Sequence, residues 1–276
     1  MGHKLREGGP LLYDHVQLVK DSQGLNGTQR VLLDYVISED ECAELKAVAN
    51  VVSTAGDGYH GATSPHTPYE KFEGATVLRT LQYGYEGKIL LRSARLFYEV
   101  SDRARKIIES YFMLNSTLHF SYTHLVCRTA LAGRHDDRSD LSHPIHADNC
   151  LINFKTSQCS RRSPAYTSRD YSALLYLNED FEGGEFIFTE KDGKTLTASL
   201  KPRCGRMVGF SSGGENPHGV RAVTSGQRCA VGMWFTLDPQ HQEPDMLKAA
   251  EILRSLDSLQ PQDGPPAGSS NHKEEL

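Results

Sequence analysis

Two histidines, one aspartate and one arginine are the residues of this chain whose types and spacing can do chemistry together. In His146-Ala147-Asp148 two potential ligands stand two residues apart, so on an extended strand or at its end both project to one face and can grip one ion. Some seventy residues on, Pro217-His218-Gly219 supplies a second imidazole. Two imidazoles and a carboxylate on one face of an iron(II) ion leave its other positions open for small ligands, an arrangement suited to oxygen activation. The stretch from His218 to Val223 is β-patterned, Thr224-Ser225-Gly226-Gln227 reads as a turn, and Arg228 to Phe235 reads as the returning strand. That pattern predicts a hairpin with Arg228 close to His218. An arginine there can pair through two hydrogen bonds with the far carboxylate of a dicarboxylic co-substrate, and 2-oxoglutarate has that shape. An isolated H-x-D often lies in a solvated loop. The combination with a β-patterned interval, His-Gly and an arginine ten residues after the histidine is far more specific.

His143 also precedes the aspartate, but its spacing to Asp148 breaks the H-x-D pattern, so a structural role or one supporting the ligands is expected.

The elements around these residues change period along the chain. Ser38-Glu39-Asp40-Glu41 is a capping box, and Cys42, Leu45, Val48, Ala49 and Val52 continue it at helical spacing. A second amphipathic helix is expected from about 93 to 111, carrying Leu96, Phe97, Val100, Ala104, Ile107, Ile108 and Tyr111. Between them, 56–74 mixes Gly, Pro, His and Tyr and reads as a long loop, a candidate wall of a peptide groove. Strand-like runs follow at 117–131, 171–178, 184–190, 194–200, 206–211, 218–223 and 228–236, with Gly183-Gly184 as a turn. With the segment around His146, about eight antiparallel strands predict a double-stranded β-helix, a jelly-roll core with supporting helices and the metal in its mouth. Residues 1–30 read as a linker or edge strand, 31–240 as the catalytic domain and 241–260 as a C-terminal helix. In that helix Pro244 suits the first turn, and Met246, Leu247, Ala250, Leu253 and Leu256 share a face. The Pro/Gly/Ser-rich 261–276 reads as a disordered tail.

The chain has 276 residues, 38% hydrophobic and 24% charged, enough to bury a sizeable core. A net charge of −5 gives no reason to expect nucleic acid, and no apolar run approaches the roughly 18 residues of a membrane helix. Six cysteines permit disulfides, and Cys150–Cys159 is the favoured pair because it would stiffen the polar insertion Asn149 to Thr167 beside the metal. Two glycosylation sequons, Asn26-Gly27-Thr28 and Asn115-Ser116-Thr117, and the terminal Lys273-Glu274-Glu275-Leu276, a near relative of K-D-E-L, point to the lumen of the endoplasmic reticulum. The polar opening Met1-Gly2-His3-Lys4 has no apolar stretch behind it, so the chain is expected to be a portion or isoform of a longer secretory product.

Three runs carry a family resemblance. Tyr171-Ser172-Ala173-Leu174-Leu175-Tyr176-Leu177-Asn178, Phe181-Glu182-Gly183-Gly184-Glu185-Phe186 and Pro217-His218-Gly219-Val220 resemble the iron(II)/2-oxoglutarate dioxygenases of the prolyl and lysyl hydroxylase group. More narrowly, Ser142 to Cys150, Arg169 to Tyr176 and Phe210 to His218 resemble the collagen prolyl 3-hydroxylases, or leprecans, and the likeness runs from about Val31 to Pro239. The resemblance implies Fe(II) held by His146, Asp148 and His218, 2-oxoglutarate anchored by Arg228, and ascorbate to restore oxidised iron. It also implies hydroxylation at C3 of proline in procollagen chains, with cartilage-associated protein and cyclophilin B as possible partners. Tyr176 matches a position where related hydroxylases touch the co-substrate, and plain core packing explains it equally well. Trp234 agrees with the family pattern and reads as a large core residue near the site. A collagen lysyl or prolyl 4-hydroxylase and a non-catalytic collagen-binding chaperone subunit remain alternatives.

Overall fold

A computed structural model describes residues 8–20, 24–55, 66–133 and 138–259. In chain order the strands are β1 (Gln17–Leu18), β2 (Arg30–Asp34), β3 (Thr54–Ala55), β4 (Glu70–Ala75), β5 (His119–Ala130), β6 (Leu141–His146), β7 (Leu151–Asn153) and β8 (Gln158–Ser160). They continue as β9 (Tyr171–Tyr176), β10 (Phe181–Gly183), β11 (Phe186–Thr189), β12 (Leu196–Leu200), β13 (Met207–Ser211), β14 (His218–Arg221) and β15 (Val223–Thr236). The helices are α1 (Glu39–Val52), α2 (Val77–Tyr85), α3 (Leu91–Tyr111) and α4 (Pro244–Leu259). One antiparallel sheet runs β1-β2-β13-β9-β15-β5-β4-β3, with β10 also on β15, and a second runs β12-β11-β14-β6. The two sheets face each other as a jelly roll, and β7-β8 forms a separate hairpin.

Strand alternation divides the apolar residues between two cores. Along β15, Cys229, Val231 and Met233 point outward into a layer shared with Val48, Phe97, Ile108 and Met246 of the helices. Ala230 points inward, where Leu32, Tyr176, Phe186, Val208 and Phe210 fill the space between the sheets. The larger sheet is thus buried on both faces. At Gly209 the helices come so close that a Cβ would lie 2.2 Å from Ile108 Cδ1. The Ser38 capping box is formed: Glu41 N–H donates to Ser38 Oγ at 3.2 Å and Ser38 N–H to Glu41 Oε2 at 2.9 Å. Cys42, Leu45, Val48, Ala49 and Val52 are the buried face of α1.

Several expectations change. His218 to Val223 and Arg228 to Phe235 do not form a hairpin. β14 pairs with β11 and β6, whereas β15 pairs with β5, β9 and β10, and the chain crosses between sheets at Ala222. The supposed turn Thr224 to Gln227 is part of β15. Its Gly226, at φ +79°, lets β10 approach so closely that a Cβ would lie 3.0 Å from Phe181 Cβ. The supposed loop from 56 to 74 ends in β4, while its part 56–65 lies outside the described residues, as does the tail 261–276. In α4 the buried face is Met246, Ala249 and Leu253; Leu247 is exposed, because the helix meets α2 and α3 on a narrower stripe than the apolar spacing suggested. Of the two readings of the residues before β2, the edge strand holds: β1 is an edge strand, and Val16 and Leu25 are buried.

Glu243, just before α4, gives this packing a pH signature. Its N–H donates to Phe120 O at 2.7 Å, and burial pushes its carboxyl up to about 7 from an ordinary 4.5. Between these values the folded chain holds a proton that the unfolded chain has released, so this contribution to stability is present below pH 4.5 and is lost as pH rises through 7. Glu243→Gln should therefore gain stability relative to the parent between pH 5 and pH 8, by up to about 3 kcal/mol. Urea unfolding at both pH values measures this, and an unchanged difference would contradict it.

Candidate active site

His146 closes β6 and His218 opens β14, and the two residues are directly paired across the sheet with ring centroids 4.3 Å apart. Asp148 lies two residues beyond β6, where its N–H donates to Ser212 O at 3.1 Å and turns the chain so that the carboxylate faces both rings. His146 Nε2 is 3.7 Å from Asp148 Oδ1, and His218 Nε2 is 3.6 Å from Oδ2. One atom from each of the three residues lies within 4.8 Å of the others. The tautomers follow from the partners. His146 Nδ1 is 2.8 Å from Pro144 O and His218 Nδ1 is 2.9 Å from Asn216 O, and a carbonyl only accepts. Each Nδ1 therefore carries the hydrogen, and each Nε2 lone pair is turned toward the carboxylate, as a metal requires.

Burial acts on these groups in opposite senses. It pushes the Asp148 carboxyl up, but the imidazoles of His218 and His146 and the Arg169 guanidinium outweigh it and hold the group well below the usual carboxylate range. Burial, with His146 beside it, holds His218 down at about 4. A neutral imidazole and an ionised carboxylate are the forms that bind a metal.

Asp148 is gripped from behind as well. Ser172 Oγ–H donates to Oδ2 at 2.7 Å and the Trp234 indole N–H donates to Oδ1 at 2.8 Å. Ser172 and Ser212 hydroxyls are 2.7 Å apart, and Asn216, fully buried, donates to Ser211 O at 2.9 Å. Trp234 is therefore more than a large core residue: it orients the carboxylate. The signal was present in the sequence, because Trp234 and Arg228 are six residues apart on one strand and so share its inner face. Ser172 sits four residues before Tyr176 and follows the same rule.

A cavity of about 620 Å³ between the sheets holds the triad and Arg228. Arg228 reaches it from β15, not from a hairpin with His218. It is 3% exposed, and its Nε donates to Gly184 O at 3.0 Å. Gly184, at φ +69°, makes room for it, since a Cβ would lie 2.9 Å from Arg228 Cδ. Arg228 Nη2 and the Tyr176 hydroxyl are buried with no hydrogen-bond partner among the described residues. The guanidinium carbon is 5.0 Å from the Tyr176 ring centroid, and burial pushes the phenol up to about 12, so it remains an O–H donor. Tyr176 thus fills the inter-sheet core while its hydroxyl stands beside the guanidinium. Two unmet donors next to a metal-ligand triad fit a carboxylate anchored there and a metal held by His146, Asp148 and His218.

His143 is outside the triad: its ring stacks on His146 at 4.2 Å, with His66 4.3 Å further out. Cys150–Cys159 is bonded and closes the β7-β8 insertion beside Asp148; Cys42–Cys204 and Cys127–Cys229 are bonded too.

Comparison with known proteins shows what these features resemble. Residues 129–236 match the 2OG-Fe(II) oxygenase superfamily. The chain is 64% identical over 276 residues to prolyl 3-hydroxylase 2 of Rattus norvegicus, covering all of this chain and 39% of that protein. It is 57% identical over 260 residues to prolyl 3-hydroxylase 1 of Mus musculus, covering 94% of this chain and 35% of that protein. The chain therefore spans little more than a third of these relatives. Among solved structures, a 2OG-Fe(II) oxygenase family oxidoreductase from Burkholderia pseudomallei has the same fold, with a TM-score of 0.50 at 13% identity, covering 76% of this chain and 86% of that one. With the likeness extending over its whole length, the chain is a homologue of the prolyl 3-hydroxylases, and its residues 129–236 resemble the 2OG-Fe(II) oxygenases.

Proposed function

We propose that this chain is an iron(II)- and 2-oxoglutarate-dependent dioxygenase that hydroxylates C3 of proline in collagen-like chains. The observation that carries the chemistry is the meeting, in one cavity, of the His146-Asp148-His218 triad with an arginine whose Nη2 has no partner among the described residues. Proline and its 3-position rest on the likeness to proteins named prolyl 3-hydroxylases.

In this reading His146 Nε2, His218 Nε2 and an Asp148 oxygen hold the iron, and the backbone carbonyls behind each Nδ1 keep the rings from turning. Arg228 Nη2 and the Tyr176 O–H donate to the far carboxylate of 2-oxoglutarate. When bound, iron and 2-oxoglutarate supply the oxidising power, the co-substrate leaving as succinate and carbon dioxide while one oxygen atom of dioxygen is placed on the prolyl carbon. Phe186, Val220 and Ile145 wall the cavity and exclude water from the reacting carbon. Ascorbate serves to keep the iron reduced. The lumen of the endoplasmic reticulum is the proposed compartment. Three disulfides favour an oxidising environment, and Asn115 is exposed as a glycan acceptor, whereas Asn26 already donates its amide to Val19 O at 2.6 Å. Cartilage-associated protein and cyclophilin B are proposed partners on the family likeness.

Succinate formation in the presence of Fe(II), ascorbate and a Gly-Pro-4-hydroxyproline peptide tests the reading, with mass spectrometry placing the new hydroxyl. Turnover should depend on peptide and vanish in Asp148→Ala; oxidation at C4 or on lysine would overturn the assignment. Arg228→Lys, which offers a point charge in place of a planar fork, should raise the KM for 2-oxoglutarate about tenfold or more. Trp234→Phe keeps an aromatic ring but removes the donor to Asp148. Its Fe(II) affinity, followed by competition with a chelator, should fall by about 10- to 100-fold, and an unchanged affinity would show that the indole N–H does not orient the carboxylate.

A further inference from the structure

The mouth of the cavity has a chemistry of its own. Tyr166, in the insertion stapled by Cys150–Cys159, is 64% exposed, yet it is not loose: the Arg169 guanidinium carbon lies 4.0 Å from its ring centroid and 4.5 Å from that of Trp234. Arg169 is buried between the two rings, and its charge faces Asp148 at 3.9 Å. On the other side of Trp234, Tyr122 stacks with centroids 5.7 Å apart at 29°. All three rings line the cavity that holds the triad. We propose that Tyr166, Tyr122 and Trp234 form the subsite that takes pyrrolidine rings beside the reacting proline of an extended, uncharged proline-rich segment, with Arg169 as the positioning residue that fixes Tyr166. This rests on the hydroxylase reading above.

The occupant follows from what the mouth offers and lacks. A proline-rich segment in the polyproline II conformation has no internal hydrogen bonds, so it presents flat apolar rings and unmet carbonyls. Aromatic faces meet the rings, the pattern by which aromatic-lined grooves bind such segments. A lysine substrate would call for a carboxylate to receive its ammonium. Among the described residues lining the cavity the only carboxylate is Asp148, which is committed to the triad. The cavity's cations are committed as well: Arg128 to Ser142 O at 2.8 Å and Glu70 at 3.6 Å, Arg169 to Asp148, and Arg228 to the co-substrate.

Trp234 is the chain's one tryptophan, so its emission reports on the subsite without any need for turnover. Titrating the whole chain with a Gly-Pro-4-hydroxyproline repeat peptide should shift or quench that emission saturably. A peptide of equal length with lysine in place of proline should not do so. In Tyr166→Ala the peptide KM and Kd should rise about tenfold with kcat little changed, while Tyr166→Phe, which keeps the ring, should stay near the parent. Arg169→Met should raise the peptide KM in the same direction, by removing the stack that holds Tyr166. Tyr85→Ala, an exposed tyrosine on α2, serves as the control. An unchanged peptide KM in Tyr166→Ala, or a loss of Fe(II) affinity in its place, overturns the subsite. So does equal binding of the lysine peptide. Saturable emission change without succinate formation supports the subsite and sinks the hydroxylase reading; turnover without dependence on Tyr166 does the reverse.

Discussion

The buried carboxylate of Asp148 is the constraint on which the rest of the structure depends. An ionised carboxylate taken out of water costs several kcal/mol unless its oxygens find partners. Here each oxygen has one neutral donor behind it, Ser172 on one and Trp234 on the other, the Arg169 guanidinium lies 3.9 Å from Oδ1, and each oxygen faces one imidazole. The two donors and two imidazoles come from β9, β15, β6 and β14, and the aspartate's own backbone is pinned to Ser212 just after β13. No two neighbouring segments of chain could assemble that set. Only two facing sheets, closed so that their strand ends converge, bring five distant segments to one carboxylate.

Closure of that kind asks a strand to serve two surfaces at once. β15 does so by parity: Cys229, Val231 and Met233 anchor it to the helical layer, while Arg228 and Trp234 stand on the other face with the chemistry. The helix layer is therefore part of the site's rigidity. Phe97, Val100, Ile107 and Ile108 of α3 are all fully buried against the strands whose opposite faces carry Ser172, Tyr176, Arg228 and Trp234. A shift of the helices would move both faces together. Gly184 meets the same demand in the backbone, since its left-handed conformation gives Arg228 both an acceptor and the space to lie flat.

How much of this was legible in the sequence depended on whether the signal was local. The α1 capping box and its five buried positions are set within fifteen residues and were readable in full, as was the β character of the second half. That His146, Asp148, His218 and Arg228 would meet in one cavity was readable because donor type and spacing constrain metal and carboxylate binding more tightly than they constrain a fold. The hairpin between β14 and β15 was misread because Ser225-Gly226 has turn composition, while the actual demand on Gly226 is the close approach of β10, whose Phe181 lies 45 residues earlier. Ser212 and Arg169 carried no pattern at all. Their roles exist only once the sheets have closed, whereas strand parity pointed to Trp234 and Ser172. The burial of Ala249 in place of Leu247 in α4 was settled by the crossing of α2 and α3, which no periodicity within α4 records.

The free chain leaves two kinds of polar group incompletely satisfied. Arg228 Nη2 and the Tyr176 hydroxyl lack partners among the described residues, and the three triad residues crowd lone pairs around one point. A buried donor left unmet costs about 1–3 kcal/mol, so the arrangement is destabilising on its own and persists because the surrounding fold over-determines it. Three disulfides, a helix layer packed to full burial and the buried ion pair between Glu70 and Arg138 at 3.0 Å hold the frame in which these groups cannot relax toward each other. Rigidity of this kind fixes donors and ligands before anything binds. A metal and a dicarboxylate entering such a site meet partners already oriented, and the reorganisation that would otherwise oppose their binding has been met during folding.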